Sequence, residues 1–136
     1  MSPEKILIST FVTKDRQERY IKLIQTERGR KKFKTYISHF NDFNPGFTTP
    51  LNNIHTSLQL YNLLKDANAP ETCYIISDHS DYDMKSLPLL KAIQELFNSG
   101  IAYIISCIPE KLAYYENEDS NQRVLLKKET NHIYGK

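Results

Sequence analysis

The sequence predicts a single α/β domain, with a helical N-terminal half packed on a small mixed sheet. At the centre of that sheet it places a parallel βαβ pair, and at the C-terminal end an antiparallel hairpin. Three observations lead there. Apolar residues recur at helical spacing through the first half of the chain. Two short apolar runs bounded by turn residues, Thr72–Ser77 and Ile101–Cys107, have the length and β-branched content of buried strands. Between them, Leu87, Leu90, Ile93, Leu96 and Phe97 mark a helix that Ser86 can cap and Gly100 can close, and strand, helix, strand in this compass is a βαβ unit.

At 136 residues, 40% hydrophobic and 25% charged, the chain has the makeup of one globular domain spanning residues 1–136. Its helical part covers about 1–68, and the βαβ unit with its hairpin about 71–128. A chain of this size buries enough surface to need no metal or disulfide for stability, so no cofactor is required for folding.

In chain order, Ser2 followed by Pro3 has the form of a helix cap and first turn, predicting a helix over 3–12. Asp15-Arg16-Gln17-Glu18 has the form of a capping box, with Thr13 as a second cap, ahead of Tyr20, Ile21, Leu23 and Ile24; a helix over about 14–26 follows. Phe33, Tyr36, Ile37 and Phe40 fall at i, i+3, i+4 and i+7 and give the next helix one apolar face. Residues 41–47 are rich in turn formers yet carry Phe43 and Phe47, the pattern of a loop pinned onto the core. Thr49-Pro50 repeats the cap-and-proline start and predicts a helix reaching Asp66. Leu112–Glu116 and Gln122–Lys127 flank a polar connection of hairpin type, which brings the sheet to about four strands. The tail from Glu129 to Lys136 reads as a frayed end.

No apolar stretch approaches the length of a membrane span and the N-terminus lacks a signal-peptide core, so the expectation is a cytoplasmic protein with no membrane contact. Cys73 and Cys107 read as two free thiols, because parallel strands would leave them at opposite ends of the sheet. Net charge is only +2, but residues 1–40 carry ten Lys or Arg against four acids. Such asymmetry orients an anionic partner or pairs one half of the molecule with the other.

Parallel strands would set the loop from Ser77 to Asp83 beside the one from Ser106 to Lys111. The ligand-binding candidates are therefore Ser77, Asp78, His79, Asp81, Ser106, Glu110 and Lys111, in a crevice outside the carboxyl ends of the strands. Asp78, Asp81 and Asp83 supply hard oxygen ligands suited to a divalent metal, although aspartates after a strand ordinarily serve turn and helix-start amides. His79 and Cys107 are the catalytic candidates, as an imidazole and thiol pair; a cysteine in a buried strand is more often a small apolar filler. Arg28, Arg30, Lys31, Lys32 and Lys34 form the densest basic cluster, suited to nucleic-acid phosphates or to a solvated helix face. With glycine only at 29, 46, 100 and 135, neither a Walker loop nor a dinucleotide fingerprint can be written.

The sequence thus favours a non-catalytic module that binds a small molecule or a protein in a polar crevice. The alternative is a metal-assisted phosphoryl-transfer or hydrolytic enzyme using the Asp78, Asp81 and Asp83 loop. Nucleic-acid association through residues 28–34 is the third reading.

Overall fold

The computed structural model describes residues 2–128; the C-terminal tail lies outside the described residues. Helices α1 (Pro3–Phe11), α2 (Lys14–Leu23) and α3 (Glu27–Ile37) come first. Strand β1 (Thr48–Pro50), helix α4 (Ser57–Asp66), strands β2 (Thr72–Ser77) and β3 (Lys85–Pro88), and helix α5 (Leu89–Leu96) follow. Strands β4 (Tyr103–Ile108), β5 (Leu112–Glu116) and β6 (Arg123–Lys127) complete the described chain.

The caps explain most of the helix boundaries. Ser2 accepts from the Lys5 amide at 3.2 Å with Pro3 at the first helical position, as the sequence implies. Helix α2 starts after Thr13, whose side chain makes no cap bond; Asp15 lies inside the first turn, so the expected capping box does not form. Thr26 caps α3 by accepting from the Gly29 amide at 3.0 Å. Gly29 is required by space: a Cβ there would lie 2.1 Å from the Leu23 carbonyl oxygen, so only glycine lets α3 begin this close to the end of α2. The helix expected from Thr49 begins instead at Ser57. There Thr56 and Gln59 form a reciprocal capping box, while Thr49 and Pro50 belong to an edge strand.

The sheet has six strands in the order β1-β6-β5-β4-β2-β3, and every pairing is antiparallel. This corrects the mixed sheet and its central parallel pair. Strands β2 and β4 are neighbours but run in opposite directions, with Tyr74 opposite Ser106 and Ser77 opposite Tyr103. The missing piece is β3, which turns back along β2 before α5 begins. Strands β3 and β4 therefore run the same way, joined through α5 with β2 between them. A strand–helix–strand crossover exists, but it starts one strand later than residues 72–77.

Adjacent residues on each strand enter different cores. Ile76, Ile104 and Tyr115 pack with Phe11, Phe33 and Ile37 under α1–α3, whereas Ile75, Ile105 and Tyr114 pack with Leu60, Leu64 and Ile93 under α4 and α5. Helices thus cover both faces. Strands buried on both faces read as continuous apolar runs, the pattern usually produced by parallel sheets, and that is why the sequence suggests the wrong strand direction.

Antiparallel pairing also changes the relation of the two cysteines. Continuing the ladder one step past Tyr74 and Ser106 sets Cys73 beside Cys107, not at the far end of the sheet. Both are buried free thiols. Burial pushes Cys73 up to about 11, partly offset by a bond from the Leu87 backbone, and burial with Cys73 alongside pushes Cys107 up to about 12. Folded-state values above the unfolded thiol range of about 8.5 mean that this stability is complete below that pH and is lost as pH rises. Between about pH 9 and pH 10, before tyrosines ionise in the unfolded chain, each thiol contributes a fall of up to about 1.4 kcal/mol per pH unit. Urea midpoints measured across this window should drop for the wild type and drop less for a Cys73→Ala, Cys107→Ala double variant. A flat wild-type profile would contradict the burial of the thiols.

Candidate functional site

The loop after β2 is not an open acidic crevice. Arg30 reaches from the first turns of α3 and places Nη2 2.8 Å from Glu4 Oε2 on α1 and 3.0 Å from both Asp83 oxygens. Lys34 Nζ lies 3.5 Å from Asp83, the Ser77 amide donates to Asp83 Oδ1 at 3.1 Å, and the Tyr74 hydroxyl donates to Glu4 at 2.9 Å. The Glu4 and Asp83 side chains are each 7% exposed, so these charges compensate one another largely out of solvent. Two of the five residues of the basic cluster are therefore joined to one of the three aspartates proposed for metal.

The remaining candidates separate. Ser77 is fully buried and donates to the Ala102 carbonyl at 2.8 Å, a packing role. Asp78 is exposed and accepts from Ser38 Oγ at 3.3 Å. His79 Nδ1 accepts from the Asp81 amide at 3.3 Å, the local turn chemistry expected of such a loop, and Asp81 itself points into solvent. Among the described residues, no group of three or more His, Cys, Asp or Glu is placed to hold a metal ion.

Ser106, Glu110 and Lys111 lie at the other end of β4, because Ser77 is paired with Tyr103 at its start. Four residues of strand, roughly 13 Å, separate that position from Cys107. His79 and Cys107 therefore do not meet as an imidazole and thiol pair, and the expected crevice joining the 77–83 and 106–111 loops does not form. Its premise was the parallel direction of β2 and β4.

Glu116 is a second polar centre, fully buried, accepting at 2.8 Å from the hydroxyls of Tyr103 and Tyr114 and at 2.9 Å from the Asn98 amide. Burial first, and the Glu116 charge with it, raises both tyrosines. With its oxygens engaged, Glu116 binds the ends of β4 and β5 to the loop after α5.

A different arrangement carries the features of a site. Between α2 and α3 lies a cavity of about 350 Å³ whose wall includes Arg16, Arg19, Tyr36, His39 and Asp42. The helices form an antiparallel pair, so the start of α2 faces the end of α3, and the turn at Gly29 holds them close. Arg19 donates to the Tyr36 hydroxyl at 3.2 Å, with its guanidinium 5.8 Å from the ring centroid. Arg16 is exposed, and its guanidinium has no hydrogen bond or ion pair to any described residue. The one carboxylate in the wall, Asp42, accepts a hydrogen bond from Tyr20, whose hydroxyl is raised by burial and then by that bond. His39 Nε2 lies 2.9 Å from Glu118 across the rim. The cleft presents two guanidinium groups, an aromatic ring and one engaged carboxylate, a combination suited to an anion.

Sequence reading overlooks Arg16 and Arg19. Their only signal is an i, i+3 spacing on α2, with Arg16 four residues before the buried Tyr20, and it becomes meaningful once α3 is known to pack beside them. Arg28, Lys31 and Lys32 remain exposed along α3, unlike Arg30 and Lys34.

Replacing Arg30 by Met leaves the nearly buried Glu4 carboxylate without a cation and Asp83 with Lys34 alone, and denaturant unfolding should show a loss of about 3 kcal/mol. Asp81→Asn, at an exposed turn, should change stability by less than about 0.5 kcal/mol. Equal effects from the two variants would contradict this division of the loop. Comparisons with protein-family models, with curated proteins and with solved structures find no match for this chain.

Proposed function

We propose that this protein is a non-catalytic binding module and that its ligand is an anion held in the cleft between α2 and α3. The observation that carries the reading is the convergence of Arg16 and Arg19 on one cavity while the Arg16 guanidinium has no hydrogen-bond or ion-pair partner among the described residues. An exposed guanidinium beside a second one, in a concave wall, gives a phosphate or carboxylate forked hydrogen bonds that a flat surface does not. Arg30 and Glu116, by contrast, meet their partners inside the protein.

The metal-assisted reading draws no support from this geometry, because Asp83 is engaged by Arg30, Lys34 and the Ser77 amide. Nucleic-acid association remains a second reading, favoured by one observation: Arg28, Lys31 and Lys32 stay exposed on the helix that forms one wall of the cleft.

Titration with inorganic pyrophosphate tests the first reading. A charge-assisted hydrogen bond contributes about 1.5–3 kcal/mol, so Arg16→Glu should weaken binding by about tenfold or more. Asp42→Asn removes a negative charge from the wall and should tighten binding a few-fold, roughly a loss of 0.5–1 kcal/mol of repulsion. Pyrophosphate binding that ignores both substitutions would overturn the assignment of the cleft.

A further inference from the structure

Next to the cationic cleft lies a second cavity of about 210 Å³, lined by Phe40, Asn41, Phe43, Pro50, Gln122 and Val124. The two cavities share Phe40 and Asn41, so they adjoin across one residue pair of the α3–β1 connection. Their chemistry differs. The first is cationic; the second joins aromatic and aliphatic walls to two carboxamides. Phe40 and Phe43 pack with ring centroids 4.5 Å apart, and both are buried. Neither the Asn41 nor the Gln122 side chain makes a hydrogen bond to any described residue. Each carboxamide therefore offers both a donor and an acceptor to whatever enters.

An extended peptide adding to the sheet edge is a poor occupant. Strand β1 has its proline at the end of a three-residue edge, and the Leu51 amide beyond it already donates to the Arg123 carbonyl at 2.8 Å. Recognition at this place falls to side chains. Aromatic walls with free carboxamides suit a planar group that carries donors and acceptors on its edge, and the guanidinium groups next door suit a phosphate attached to it.

We propose that the two cavities are the phosphate and base halves of one site, and that its ligand is a nucleotide, either free or as one unit of a single strand. This inference rests on the anion-binding reading of the α2–α3 cleft. Arg16 and Arg19 hold the phosphate, while Asn41 and Gln122 bond the edge of the base against Phe40 and Phe43. For a strand, the phosphates of neighbouring units continue along α3 toward Lys32 and Arg28, which lie one and two turns back from Tyr36 on the exposed side of the helix.

The test is calorimetric titration of the full chain with ribose 5-phosphate, the four nucleoside 5′-monophosphates and a short single-stranded oligonucleotide. At least one nucleotide should bind about tenfold or more tightly than ribose 5-phosphate, the scale of the two neutral hydrogen bonds the carboxamides supply. Gln122→Leu, which lies in the second cavity alone, should abolish that advantage and leave ribose 5-phosphate binding unchanged, and Asn41→Leu should abolish the advantage as well. Arg16→Glu should weaken every ligand. An oligonucleotide that binds more tightly than any mononucleotide, with a salt slope that Lys32→Glu reduces, assigns the ligand to a strand; equal affinity assigns it to the free nucleotide. If ribose 5-phosphate binds in an Arg16-dependent way and no nucleotide binds more tightly, the nucleotide inference is overturned while the anion cleft stands. If no phosphate compound binds, both fall.

Discussion

Arg30 fixes the relation between the charged segments of this molecule. Its guanidinium bridges Glu4 on the first helix and Asp83 in the loop after β2, with Lys34 and the Tyr74 hydroxyl completing the group. The partners are 26 and 53 residues away in sequence, so the contact joins α1, α3 and the sheet at one point. Nearly buried carboxylates without a cation are strongly disfavoured, and the docking of α3 through the apolar packing of Phe33 and Ile37 brings the Arg30 cation to both.

The same contact determines which charges are left for a ligand. The basic excess of the first forty residues looks like a single cluster in sequence, yet in three dimensions it divides. Arg30 and Lys34 neutralise the acidic loop, whereas Arg16, Arg19, Arg28, Lys31 and Lys32 face outward. The acidic loop loses its freedom to act as a metal site through Asp83 by the same division. What remains is a positive face on the α2–α3 layer with a concavity in it, next to a pocket bearing two uncommitted carboxamides.

Much of the fold is legible in the sequence where local chemistry decides it. Ser2 and Pro3 mark the start of α1, the spacing of Phe33, Tyr36, Ile37 and Phe40 marks α3, and the polar connection after Glu116 marks the β5–β6 hairpin. Phe43 also packs where the loop reading places it, edge-on to Tyr115. Strand direction was not legible, because Ile75 and Ile76 enter different cores and a doubly covered antiparallel strand has the composition of a parallel one. Strand β3 was not legible either: its four residues run directly into α5, and Ser86 resembles a cap. The expected crevice inherited the error in direction. The cleft was hidden for another reason, since Arg16 and Tyr36 belong to separate helices and no spacing along one helix connects them.

The most direct test of this account follows the arginine side chains themselves, by recording their Nε–Hε resonances in nuclear magnetic resonance spectra during a pyrophosphate titration. The account predicts that Arg16 and Arg19 shift together and saturably while Arg30, enclosed between Glu4 and Asp83, does not move. Arg30 shifting in step with them, or no arginine shifting at all, would contradict the division of charge on which the proposed function depends.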